Sequence, residues 1–233
     1  ESENVRNAAV EAVSSYPMDE ELFGKILGML NSNSPVIRRS AAEVMERSGD
    51  ERALRELEAL LLDDDPTVKQ AAVFALARIE HIKVGSIPVM LLGSEDPVLR
   101  KSAAIILGEL KDKRAVEHLS ITLNDEDVWV RYHSALALGS IGDKRATNHL
   151  TKGLDDPIGA VRLACVKAIG GIKDLSCEES LLRLVDDEDE DVRKTLAETL
   201  QIFPGDNARN AVFKLLSDTS WQVREAAVSA SER

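Results

Sequence analysis

One spacing constrains this chain more than any other feature. Basic residues preceded by an aliphatic one stand at Arg6, Arg38, Lys69, Arg100, Arg131, Arg162, Arg193 and Arg224, a first step of 32 residues followed by six of 31. A fixed period of this length marks an array of one supersecondary unit, each copy burying its apolar face against the next. Taking the basic residue as position zero, position −1 reads Val5, Ile37, Val68, Leu99, Val130, Val161, Val192 and Val223. Position +3 is mostly small: Ala9, Ala41, Ala72, Ala103, Ser134, Cys165, Leu196 and Ala227. Position +7 is larger: Val13, Met45, Leu76, Leu107, Leu138, Ile169 and Leu200. Positions −1, +3 and +7 share one side of a 3.6-residue helix, here termed helix B.

A second helix, A, precedes most copies of B. Position −8 holds Leu30, Leu61, Leu92, Leu123, Leu154, Val185 and Leu216, and position −12 holds Ile26, Leu57, Pro88, Leu119, Leu150, Leu181 and Val212. A spacing of four again makes one apolar face. Acidic turns separate A from B: Asp63-Asp64-Asp65-Pro66, Glu95-Asp96-Pro97, Asp125-Glu126-Asp127 and Asp155-Asp156-Pro157. Asp caps free amides at the start of B, and Pro is tolerated in the first turn. Gly49-Asp50, Gly142-Asp143 and Gly205-Asp206 lie between B and the next A, where Gly can end one helix left-handed and Asp can cap the next. The third such turn has Glu80-His81, and the helix after it reads Val84-Gly85-Ser86-Ile87-Pro88. Gly and Pro weaken that turn, so a short or late helix is expected.

The segments Asp112-Lys-Arg-Ala-Val-Glu-His-Leu and Asp143-Lys-Arg-Ala-Thr-Asn-His-Leu, with Val130-Arg131…Leu138-Gly139 and Val161-Arg162…Ile169-Gly170 after their acidic turns, resemble HEAT-like repeats of the phycobilisome-lyase type. The resemblance implies an all-α fold, a right-handed α-solenoid of antiparallel helix pairs with about seven and a half repeats, in which second helices line a concave side. The expected layout is one solenoid over 1–233: a lone helix B at 1–17, then helix pairs at 18–48, 49–79, 80–110, 111–141, 142–172, 173–203 and 204–233. Neither end carries an obvious polar cap, so the array is expected to be part of a longer protein or to have its ends covered by something else.

Composition narrows the function. Charged residues are 30% of the chain and the formal net charge is −12, which disfavours nucleic acid as a partner because phosphate binding needs a basic surface. No apolar run is long enough to span a membrane, and Cys165 and Cys177 form no disulfide framework, so a cytoplasmic location is expected. His118 and His149 share a repeat position without accompanying carboxylates, and no short catalytic motif occurs. The expectation is therefore no catalytic residue, no cofactor, no metal and no enzyme. Cys165 reads as core, and the Arg column as structural, laddered to nearby acids such as Asp65 and Asp127. Iron-binding HEAT-like hydroxylases use His-Glu dipeptides, whereas this chain has the reverse order in Glu80-His81 and Glu117-His118.

Helical phase turns positions −2, +1, +2 and +5 of helix B away from the core side. Across the middle repeats these hold Phe74, Val98, Lys101, Ile105, Trp129, Tyr132, His133, Leu136 and Leu163. They are the candidate partner-binding residues of the concave groove, with Arg78, Lys167 and Glu109 at the rim. The function expected is a non-catalytic interaction scaffold or regulatory module that binds another protein or a peptide segment. The alternatives are a bilin lyase subunit or chromophore-handling protein, which the resemblance suggests, and a nucleic-acid-binding array, which the charge disfavours.

Overall fold

The computed structural model describes residues 3–80 and 87–232, and all regular structure among them is helical. The chain divides into two compact units, Glu1–Ile106 and Leu107–Arg233, each described by itself. The first contains α1 (Glu3–Ser14), α2 (Glu20–Leu30), α3 (Pro35–Ser48), α4 (Leu54–Ala59), α5 (Pro66–Glu80), α6 (Ile87–Leu91) and the start of α7 (Pro97–Glu109). The second contains α8 (Val116–Thr122), α9 (Val128–Ile141), α10 (Thr147–Gly153), α11 (Gly159–Ile172), α12 (Glu178–Leu182), α13 (Glu190–Leu200), α14 (Asp206–Leu215) and α15 (Trp221–Ser231). Helices A and B alternate as the period requires, so each unit is a stretch of α-solenoid. His81 and Val84–Ser86 lie outside the described residues, and helix is described there only from Ile87 to Leu91.

The core follows the repeat positions. Val68, Val130, Val161 and Val192 at −1 are fully buried, as are Ala72, Ser134 and Cys165 at +3. Successive B helices pack side by side: α3 on α5 in the first unit, and α9 on α11 on α13 on α15 in the second. Glycine sets the closeness of one pair. A Cβ added to Gly139 in α9 would lie 2.6 Å from Ala168 Cα in α11, so only glycine permits this approach. Burial pushes the Cys165 thiol up to about 12. A Cβ on Gly153 would stand 2.5 Å from Cys165 Sγ, so the missing side chain at Gly153 makes room for the sulfur. One repeat earlier, the corresponding residues Thr122 and Ser134 hydrogen-bond instead, with their hydroxyl oxygens 2.7 Å apart.

The Arg column is a set of joints between repeats, but with different partners from those expected. Asp65 and Asp127 serve the helices instead. Their carboxylates cap helices, Asp65 accepting from Thr67 N at 2.8 Å and Asp127 from Trp129 N at 2.8 Å and Val130 N at 3.0 Å. The column is met by the Asp two residues earlier, in the following repeat. Arg38 reaches Asp63 at 2.6 and 2.8 Å, Arg131 reaches Asp156 at 2.7 and 3.1 Å, and Arg162 reaches Asp187 at 2.8 and 2.7 Å. Arg193 reaches Asp218 at 2.7 and 2.9 Å. These are two-pronged guanidinium–carboxylate contacts, the strong form of the pair. The remaining guanidinium nitrogen donates to a carbonyl of its own turn: Arg162 to Asp156 O at 2.9 Å, Arg193 to Asp187 O at 2.6 Å, Arg224 to Asp218 O at 2.6 Å. Asp156, Asp187 and Asp218 therefore each accept the preceding Arg with the carboxylate and their own repeat's Arg with the carbonyl. Where Ser94 takes this place, Lys69 turns to Asp96 instead.

The turns differ from expectation in two places. Gly49 and Gly142 end their helices left-handed at φ 64° and 71°, and Lys111 and Lys173 take that conformation at equivalent positions. Gly205 does not. Its φ is −74° and it precedes α14, where Pro204 excludes the left-handed ending. Gly205 offers no side chain to the helix, and Glu178 caps it from the preceding repeat by accepting from Ala208 N at 3.1 Å. Asp156-Pro157 also fails as a cap for α11, which starts at Gly159 behind Ile158, because Ile158 holds the −4 position from which Asp65 and Asp127 cap; Asp156, at −6, accepts from Ile158 N at 2.9 Å and from Arg131.

Candidate partner-binding face

In the second unit the face is set by the start of α9. Asp127 holds the amides of Trp129 and Val130, fixing the first turn. Val130, Ser134 and Leu138 then point into the core and are fully buried. One residue round the helix, Trp129 is 55% exposed, and Tyr132, His133 and Leu136 are half-buried. Leu163, half-buried on α11, occupies the repeat position that Tyr132 occupies on the adjacent α9. The rings form a right-angled set. Trp129 and Tyr132 have centroids 5.8 Å apart at 79°, and Tyr132 and His133 lie 5.1 Å apart at 89°. Edge-to-face contacts of this kind hold rings in place at a surface without burying them.

In the first unit, Phe74, Val98, Lys101 and Ile105 are all half-buried. Phe74 walls a cleft of about 160 Å³ together with Arg39, Glu43, Glu46, Thr67 and Gln70. Its charges are matched internally. Arg39 donates to Glu43 at 2.8 Å, Arg6 also pairs with Glu43, and Arg78, expected at the rim, reaches Glu46 at 3.1 Å. A larger cleft in the second unit, about 460 Å³, is lined by Asp186, Asp187, Arg193, Lys214 and Asp218. Its charges are joined too, Arg193 to Asp218 and Lys214 to Asp186 at 2.5 Å, so it is a joint of the array with no ligand chemistry of its own.

His118 is exposed on α8 and His149 half-buried on α10. No group of His, Cys, Asp and Glu side chains among the described residues gathers to hold a metal ion. No helix among them is long and apolar enough to cross a membrane. Sequence reasoning missed the carboxylates that meet the Arg column. Their signal was present, since Asp63, Asp125, Asp156, Asp187 and Asp218 recur at position −6.

The family model for HEAT repeats matches residues 1–77, 89–164 and 150–232. Among solved structures, the complex of CpcE and CpcF of phycocyanin lyase from Nostoc sp. PCC7120 is similar at 20% identity and a TM-score of 0.53, covering 94% of this chain and 97% of that one. The YibA protein of Escherichia coli is similar at 18% identity and a TM-score of 0.66, covering 100% and 98%. Among curated protein sequences none matches. The expectation that the chain is not an enzyme is corrected by the first of these structures. A lyase is built on this fold, so neither the architecture nor the lack of short catalytic motifs separates a scaffold from an enzyme. With the family model covering nearly all of its length, the chain belongs to the HEAT-repeat family.

Proposed function

We propose that the chain binds a segment of a partner protein along the outward face of its B helices. The anchors in the second unit are Trp129, Tyr132, His133, Leu136 and Leu163. A separate set, Phe74, Val98, Lys101 and Ile105, serves the first unit. The observation that carries this reading is the 55% exposure of Trp129 beside Tyr132, at positions the repeat does not need for its core. Trp and Tyr bury a large area at little entropic cost and are favoured at binding hot spots. The phycocyanin-lyase structure was solved as a complex of two proteins, which supports the same reading.

A displayed library of random 14-residue peptides tests it. Selected peptides should bind the native chain and lose at least tenfold in affinity against a Trp129→Ala/Leu163→Ser variant. An Ile121→Ser control, altered at an exposed residue of α8, should bind normally. Binding that survives in the double variant would rule this face out. A collapse of the double variant's Tm would show that these side chains are core instead.

A further inference from the structure

We propose that the face formed by α14 and α15 docks a helix pair of the same repeat type on a partner protein, whose inter-helix turn places an aspartate carboxylate on Arg224. This face is separate from the residues assigned above, and the inference does not rest on that reading.

Two independent observations carry it. The first is a receptor for a carboxylate. Arg131, Arg162 and Arg193 each give Nη1 to the carbonyl of the Asp in their own turn, and Nε with Nη2 to the carboxylate of the following repeat. Arg224 completes only the first half of this pattern. Its Nη1 donates to Asp218 O at 2.6 Å and Thr219 O at 3.0 Å, and no carboxylate among the described residues meets its Nε and Nη2. The Asp218 carboxylate is held by Arg193. The half-buried Arg224 guanidinium is thus fixed by its own turn before anything binds. A planar fork of this kind takes a carboxylate by two parallel bonds.

The second observation is apolar. Position +4 lies one turn before +8 on helix B, on the side that meets the next B helix. Gly139 and Gly170, at +8, stand against Ala168 and Thr199 of the following helix. Ala135, Val166 and Ala197, at +4 in this unit, are wholly buried, whereas Val228 is 46% exposed. On α14, Phe213 at −11 is 53% exposed, although Ser120, Thr151 and Leu182 at that position are buried or half-buried. A merely apolar ligand would cover Val228 and leave the fork empty. A helix pair with Asp six residues ahead of its column Arg does both, as Asp187 and α13 do for Arg162 and α11. A second copy of this chain fits less well, because α1 has neither an A helix nor an acidic turn ahead of it among the described residues.

The probe is a synthetic segment copied from residues 172–203, which holds α12, Asp187 and α13. The readout is the labelling rate of a Val228→Cys variant, whose own thiols, Cys165 and Cys177, are buried. Excess segment should slow labelling at least fivefold. An Asp187→Asn segment, which leaves the protein itself unchanged, should need about tenfold more for the same protection, the size of one lost charge-assisted contact. Arg224→Gln should cost the unaltered segment a similar factor and the Asn segment nothing further. Fusing the segment directly after Arg233 puts its copied Asp187 as far beyond Arg224 as Asp187 lies beyond Arg162, 25 residues, and tethering removes most of the cost of association. Labelling that stays fast in this fusion overturns the proposal, as does protection indifferent to Asp187→Asn. Protection that rises with the concentration of the unfused protein alone would assign the face to a second copy and overturn it too.

Discussion

Replacing Gly139 by alanine tests the packing of α9 against α11 in one step. The new Cβ would sit 2.6 Å from Ala168 Cα and 3.0 Å from its Cβ. Carbon atoms rest about 3.5–4.0 Å apart, so the overlap is roughly 1 Å. It falls on main chain, which cannot rotate away, so the helices must separate. Overpacking of this kind costs about 1–3 kcal/mol, and a backbone clash belongs at the upper end. Against this stands a gain of about 1 kcal/mol, because alanine is the better helix former. The net expectation is a loss of about 2 kcal/mol. Gly24 in α2 is the matched control. A Cβ there meets nothing within 4 Å, so Gly24→Ala should stabilise by up to about 1 kcal/mol. Gly170→Ala separates the two terms. Its nearest neighbour is the Thr199 side chain at 3.2 Å, which can rotate, so the change should be close to neutral. Urea unfolding followed by circular dichroism gives each value from the shift in midpoint at constant slope. If Gly139→Ala proved as stable as Gly24→Ala, the close approach of α9 and α11 would be wrong.

Other expectations concern the joints and the core. Arg162→Ala should cost about 3 kcal/mol, because the side chains of Arg162 and Asp187 are only 9% and 5% exposed and the carboxylate would lose its partner. The half-exposed Arg114–Asp112 pair should show less than about 1 kcal/mol of coupling in a double-mutant cycle. Hydrogen bonds from Arg38 and Arg193 hold Asp63 and Asp218 below the usual carboxylate range. Their contribution is full above the unfolded value near pH 4 and is lost as pH falls through the lower folded value, so the acid limb of stability should be shallower in Asp218→Asn. The Cys165 thiol, pushed up to about 12, should resist a thiol reagent in the native protein and react at the rate of unfolding. Fast native reaction would contradict its burial.

Much of the fold was legible because a single period of 31 residues repeats both the apolar positions and the turns. The first and last helices run Glu3–Ser14 and Trp221–Ser231, around the first and last basic residues of the column, Arg6 and Arg224. The joints were harder to read. Asp at −4 and Asp at −6 are chemically identical in a string of acids, and only the turn's path aims one at helix amides and the other at the preceding Arg. The paired changes Thr122/Ser134 and Gly153/Cys165 were likewise invisible until helices A and B were laid together. The outward face was the least legible part. Phase separates Trp129 from Val130, but the right-angled rings and the degree of exposure arise from packing. The division between Ile106 and Leu107 has no counterpart in the spacing, which runs on unbroken.

The joints of Arg38, Arg131, Arg162 and Arg193 are each shared between neighbours, Arg from one repeat and Asp from the next, and this makes the repeats exchangeable as cassettes. Excision of residues 142–172 would place Lys173, already left-handed, where Gly142 stood. It would hand Arg131 the carboxylate of Asp187 in place of Asp156. Gly139 would then face Thr199 across the new seam, as Gly170 does now. A chain jointed this way can lengthen or shorten by whole copies in a single genetic event, with each new neighbour already carrying the matching half. Arg6–Glu43 and Lys69–Asp96 are exceptions: with Ser32 and Ser94 in place of the usual Asp, each of these pairs must be inherited as one piece.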